Sequence, residues 1–130
     1  MPERTTPRVL VVDDIDGSRD LAREVLEHDG IEVAGEADSG EGAIRMAQEL
    51  HPDVVLMDVR MQGIDGIEAT RRLKRILPNV HVIILSVFDD KALMDEAAEA
   101  GASAHITKGS SGSQLTARVL SVCGMRSGIV

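Results

Sequence analysis

The chain contains neither tryptophan nor tyrosine, and Phe88 is its only aromatic residue. That scarcity removes the stacking platforms on which single-stranded nucleic acid is held and leaves few side chains to sandwich a flavin ring. Cys123 is the single cysteine, so no internal disulfide forms, and it reads as a small hydrophobe on a helix. No apolar run approaches the roughly 20 residues of a membrane-spanning helix, and no signal peptide is recognisable. Positive charge is also in short supply. Fourteen Lys and Arg against 22 Asp and Glu give a formal charge of -8, which disfavours phosphate backbones and anionic lipid. The expectation is a soluble, cytoplasmic domain with no membrane contact and no direct contact with nucleic acid. A length of 130 residues suits one domain with one core.

Against these absences stands one recurring pattern. Three runs of four apolar residues each end in a small polar one: Val9 to Val12 before Asp13 and Asp14, Val54 to Met57 before Asp58, and Val82 to Leu85 before Ser86. Continuous apolar runs mark strands covered on both faces, and open α/β sheets bind ligands at the carboxyl ends of their strands. Function is expected at that edge.

Between the runs the periodicity is helical. Residues 1–7 are polar with two prolines and read as a flexible N-terminal tail; the folded domain is expected over 8–124, with 125–130 a C-terminal tail or the start of a linker. The first helix carries Leu21, Ala22, Val25 and Leu26 on one stripe and stops near Asp29-Gly30. A strand over 31–37 leads to a helix from Gly40 to Leu50, with Ala43, Met46, Ala47 and Leu50 inward, halted by His51-Pro52. Further helices are predicted over 67–77, 91–100 and 114–123, strands over 81–86 and 104–107, and an N-cap among Ser110 to Ser113. Five strands alternating with five helices imply a doubly wound parallel sheet.

Such a sheet brings Asp13, Asp14 and Asp58 together. Clustered carboxylates repel, and either a pKa rises or a cation joins them. Mg²⁺ suits a few carboxylate oxygens, waters and a phosphate. Lys108, after the last strand, supplies a positive charge for phosphoryl oxygens, and the Ser86 hydroxyl a hydrogen bond. The set describes phosphoryl transfer: a carboxylate nucleophile, a neutralising metal and a lysine.

On these residues, with Asp58 in MDVRMQGIDGIEATRRL and Lys108 after GASAHIT, the chain resembles the receiver domain of bacterial two-component response regulators from Arg8 to about Gly124. The resemblance implies a flavodoxin-like (CheY-like) fold with strand order 2-1-3-4-5. It implies that Asp58 accepts a phosphoryl group from a sensor histidine kinase. Mg²⁺ is then held by Asp13, Asp14, Asp58 and the backbone carbonyl of Arg60, while Ser86 and Lys108 bind phosphoryl oxygens. It implies no enzyme beyond self-phosphorylation and self-dephosphorylation, and a homodimer face on the fourth helix, fifth strand and fifth helix, with Ala98, Ala102, His105, Leu115 and Val119 as contributors. The wording is most similar to NarL/FixJ-type receivers that precede a DNA-binding domain, so the native chain either continues into one or stands alone.

Departures from that pattern carry expectations of their own. Gln62 stands where proline is usual and should loosen the loop after Asp58. Gly109 replaces a proline, removing the reason for a cis bond. His105 occupies the place of a switch aromatic, making the coupling weaker or pH-sensitive, or else it is a solvated edge residue. Val87, Arg60 and Phe88 flank the entrance and would tune access to Asp58. Two competing readings remain: a phosphorylation-independent interaction module, and a phosphatase of the haloacid dehalogenase class.

Overall fold

The computed structural model describes residues 6–87, 90–109 and 111–124; the N-terminal and C-terminal tails expected above fall mostly outside them, as do Phe88 and Ser110. Five strands, β1 (Arg8–Val12), β2 (Glu32–Ala37), β3 (Val54–Asp58), β4 (His81–Ser86) and β5 (Ala104–Thr107), alternate with five helices. These are α1 (Asp16–His28), α2 (Gly40–Leu50), α3 (Gly66–Ile76), α4 (Lys91–Ala100) and α5 (Gly112–Val122). All strand pairings are parallel, in the order β2-β1-β3-β4-β5. The expected fold class is therefore the observed one.

Alternation along the strands divides the core between the two faces of the sheet. Leu10, Val12, Val55, Met57, Val82 and Ile84 pack with α2 and α3 residues such as Ala43, Ala47, Ile67 and Leu73. Val9, Val11, Val54, Leu56 and Ile83 pack on the other face with Leu26 of α1 and with Val119 and Leu120 of α5. The three apolar runs are at most 8 % exposed throughout, as strands covered on both sides must be.

Helix ends follow local chemistry. Ser39, Asp65, Asp90 and Ser111 each accept a backbone N–H from the first turn of their helix, and the expected cap near 110–113 is Ser111. The helix α1 differs: its N-cap, Ile15, offers no side-chain cap. Two expectations about exposure need correction. Leu21 is 62 % exposed rather than inward, because α1 turns Leu26 to the sheet and leaves Leu21 on the rim of a cleft of about 280 Å³ beside α5. Val119 is fully buried on the inner face of α5, against the sheet, and has no surface to offer a partner.

Candidate functional site at the carboxyl edge

Strand register assembles the polar residues. Val12 pairs with Met57, so Asp13 leaves β1 abreast of Asp58, the last residue of β3. Asp58 pairs with Leu85, which places Ser86 one residue further along β4, and Ser86 pairs with Thr107, just before Lys108. One carboxylate oxygen each from Asp13, Asp14 and Asp58 lie within 4.8 Å of one another. The Lys108 ammonium is 2.9 Å from Asp13 Oδ2 and 3.4 Å from Asp58 Oδ1. Asp13, Asp58 and Ser86 are buried, whereas Asp14 is exposed. All five residues singled out in the sequence thus meet at one end of the sheet.

Their electrostatics are unequal. Burial is the largest influence on Asp58 and pushes its pKa up; repulsion from Asp13 and Asp14 adds to that, and the attraction of Lys108 does not cancel it. Burial also works to raise Asp13, but hydrogen bonds from Ser18, the Ile15 N–H and Lys108 prevail and leave its pKa below the ordinary value. For Lys108 burial pulls down, and the two carboxylates more than compensate, so its pKa is raised and it stays cationic. The cluster has three carboxylates against one lysine, and Asp58 takes a proton more readily than Asp13.

The loop beyond Asp58 is shaped by contact with α3. Val59 N–H donates to Leu85 O and Gly66 N–H to Val59 O. A Cβ on Gly66 would come within 2.1 Å of the Asp58 carbonyl oxygen, so only glycine lets α3 begin this close to the acidic strand end. Gly109, after Lys108, has φ of +94°, a conformation closed to proline, and no peptide bond among the described residues is cis. Val87 is 62 % exposed and Arg60 and Gln62 are exposed, placing them on the rim; Phe88 lies outside the described residues. His105 is not a solvated edge residue: it is half-buried, and its Nε2 is shielded from solvent without a hydrogen-bond partner.

Three contributors were not assigned a role from the sequence. Ser18 lies beside Asp13 and helps hold its pKa down. Gly66 sets the approach of α3, and its place eight residues past Asp58 in a glycine-bearing loop was the only visible sign. Arg19 donates to the backbone carbonyl of Asp13 at 2.8 Å, and a contact to a main-chain atom leaves no mark in a sequence.

Hard carboxylate oxygens converging from two strand ends, with an excess of negative charge, fit a small oxygen-seeking dication. The fold and site define a doubly wound α/β domain of CheY-like topology with its polar centre at the carboxyl edge. The chain belongs to the response regulator receiver domain family, whose model matches residues 9–120. It is 48 % identical over 103 residues to response regulator GacA of Pseudomonas viridiflava, covering 78 % of this chain and 48 % of that protein. The chain thus spans about half the length of the curated relatives it matches first. A LuxR-family two-component response regulator from Aurantimonas sp. SI85-9A1 superposes with a TM-score of 0.86 at 34 % identity, over 93 % of this chain and 88 % of that one. The CheX–CheY complex of Borrelia burgdorferi with beryllofluoride and Mg²⁺ gives 0.85 at 25 % identity, over 89 % and 88 % of the two chains. Among the described residues no helix is long and apolar enough to cross a membrane.

Proposed function

We propose that this chain is a phosphoacceptor domain in which Asp58 takes a phosphoryl group from a phosphohistidine of a sensor histidine kinase in a Mg²⁺-dependent step. The observation that carries the reading is the convergence of Asp13, Asp14 and Asp58 with Lys108 on the buried end of β3. An Asp58 carboxylate oxygen attacks phosphorus, the bond from phosphorus to the donor nitrogen breaks, and the electron pair leaves with the imidazole. Lys108 and the Ser86 hydroxyl bind phosphoryl oxygens as they approach a buried carboxylate. Mg²⁺, held by Asp13, Asp14, Asp58 and the Arg60 carbonyl, would neutralise charge between phosphoryl and carboxylate oxygens. That the Borrelia relative was solved with beryllofluoride and Mg²⁺ supports a site of this kind for Mg²⁺ and a phosphoryl group.

The domain acts on itself and on no external substrate. Its output is a changed protein-binding surface, with His105 as the internal reporter and Val87 and Arg60 governing access of water to the phosphoryl group. Self-association uses the exposed part of α4, β5 and α5, and in a longer native chain an attached DNA-binding domain reads the change. The setting is cytoplasmic. The phosphatase reading loses its ground with membership of a different family.

Acetyl phosphate with Mg²⁺ tests the reading. Intact mass should rise by one phosphoryl group in the wild type and stay unchanged in Asp58→Asn or in excess EDTA. Equal labelling in the mutant would remove Asp58 as acceptor, and no labelling of the wild type would favour the phosphorylation-independent module.

A further inference from the structure

We infer that Arg19 is a positioning residue for the metal-binding loop, a role that rests on the Mg²⁺ reading above but is carried by separate contacts. The guanidinium of Arg19 reaches three acceptors at once. Nη1 donates to the Asp13 backbone carbonyl at 2.8 Å, Nε to Glu36 Oε1 on β2 at 3.1 Å, and Nη2 to Asp16 Oδ1 at 2.7 Å. The Arg19 side chain is only 16 % exposed, and Glu36 is held in turn by Arg23. A planar fork with fixed donor directions ties the strand end, the helix start and the sheet edge into one unit.

The loop needs such a tie. It carries two of the three carboxylates, and α1 starts directly behind it at Asp16, where the N-cap Ile15 provides no side-chain cap. Asp13 is otherwise fixed at every polar atom: its N–H donates to Ala37 O at 3.1 Å, its Oδ1 accepts from Ile15 N–H, and its Oδ2 from Lys108. Arg19 takes the remaining carbonyl, at the peptide that joins Asp13 to Asp14. Asp14 is exposed, so the direction of its carboxylate follows from the backbone that Arg19 holds. A rotation of that peptide would turn Asp14 away from Asp13 and Asp58.

Positioning and simple electrostatics predict opposite outcomes, which makes the inference decidable. Removing a cation near three carboxylates should by charge alone tighten Mg²⁺. Removing the clasp should weaken it by roughly 10-fold, the lower end for outer groups that orient metal ligands. Isothermal titration of the metal-free chain with Mg²⁺ reads this directly. Arg19→Gln is expected to bind about 10-fold more weakly, with Arg19→Lys, which keeps the charge but not the fork, in between. Acetyl-phosphate labelling of Arg19→Gln should need correspondingly more Mg²⁺ and recover at saturation. Amide exchange at Asp14 and Ile15 should be faster in the metal-free variant. Mg²⁺ affinity in Arg19→Gln equal to or above wild type overturns the role. If that variant does not fold, Glu36→Gln, which frees only the β2 end of the clasp, takes its place, and unchanged affinity with unchanged exchange overturns it equally. A wild type that binds no Mg²⁺ condemns the metal reading, while amide exchange still judges the clasp.

Discussion

At Asp58 the burial of an ionised carboxylate opposes folding when no cation is present. Its pKa is raised chiefly by burial, so the folded chain holds a proton there more tightly than the unfolded chain does. The ionised form therefore costs stability. Stability should fall as pH climbs from the ordinary aspartate range through the raised value of Asp58, and stay lowered above it. Asp13 has the opposite sign: its lowered pKa contributes stability that is lost only as pH drops through its folded value, so the two effects occupy different windows. Asp58→Asn removes the first effect. In EDTA at neutral pH the mutant should melt above the wild type, and its melting temperature should lack the decline above the aspartate range. Mg²⁺ at 100 times its dissociation constant should stabilise the wild type by about 2.7 kcal/mol and the mutant by much less. Circular dichroism melts across pH, with and without Mg²⁺, check both statements; a mutant that melts below the wild type in EDTA would show that the Asp58 carboxylate is not the costly group.

Among elements, the junction between β3 and α3 is the least forgiving. A Cβ at Gly66 meets the Asp58 main chain, which cannot move aside without shifting the strand end itself, whereas a Cβ at Gly17 in α1 meets nothing within 4 Å. Gly66→Ala should cost about 1 to 3 kcal/mol by overpacking and weaken Mg²⁺ along with it. Gly17→Ala should stabilise by about 0.4 to 1 kcal/mol and leave Mg²⁺ affinity alone. Urea titrations followed by circular dichroism separate the two, and equal midpoints for both variants would remove Gly66 from the account. Elements were legible in the sequence wherever periodicity alone decides them. The apolar runs became strands, the 3.6-residue stripes became helices, and the polar residues ending the runs became the site. What escaped notice depends on neighbours distant in sequence. Leu21 belongs to an apolar stripe yet faces the cleft beside α5, and Val119, a candidate for a partner surface by sequence, is covered by the sheet. The register shift that pairs Leu10 with Gly35 rather than the next residue of β2 is marked in the sequence only by a glycine inside the strand, and Arg19 reaches a main-chain oxygen.

For the molecule as a whole, association must overcome net charge. Each copy carries -8, and two copies repel unless a contact of sufficient area forms; stable interfaces bury roughly 1,200 Å² or more. With Val119 buried, and with Leu115 and Ala102 packed against the core clusters, the face proposed for self-association keeps exposed Ala98 and Met94 on α4 and half-buried His105 on β5. The apolar part of that surface is small, so the unmodified chain should be largely monomeric. Charge placed on Asp58 changes which conformations are populated, and a conformation that exposes a larger contact shifts the balance toward dimer only if the dimer prefers it. Beryllofluoride with Mg²⁺ should therefore raise the dimer fraction, and added salt should raise it further by screening the repulsion. Ala98→Glu places another negative charge on the contact and should keep the treated chain monomeric without altering acetyl-phosphate labelling. Sedimentation velocity with interference optics suits a chain lacking tryptophan and tyrosine. Identical distributions with and without beryllofluoride would refute coupling between the site and assembly, and a dimer indifferent to Ala98→Glu would place the contact on another face.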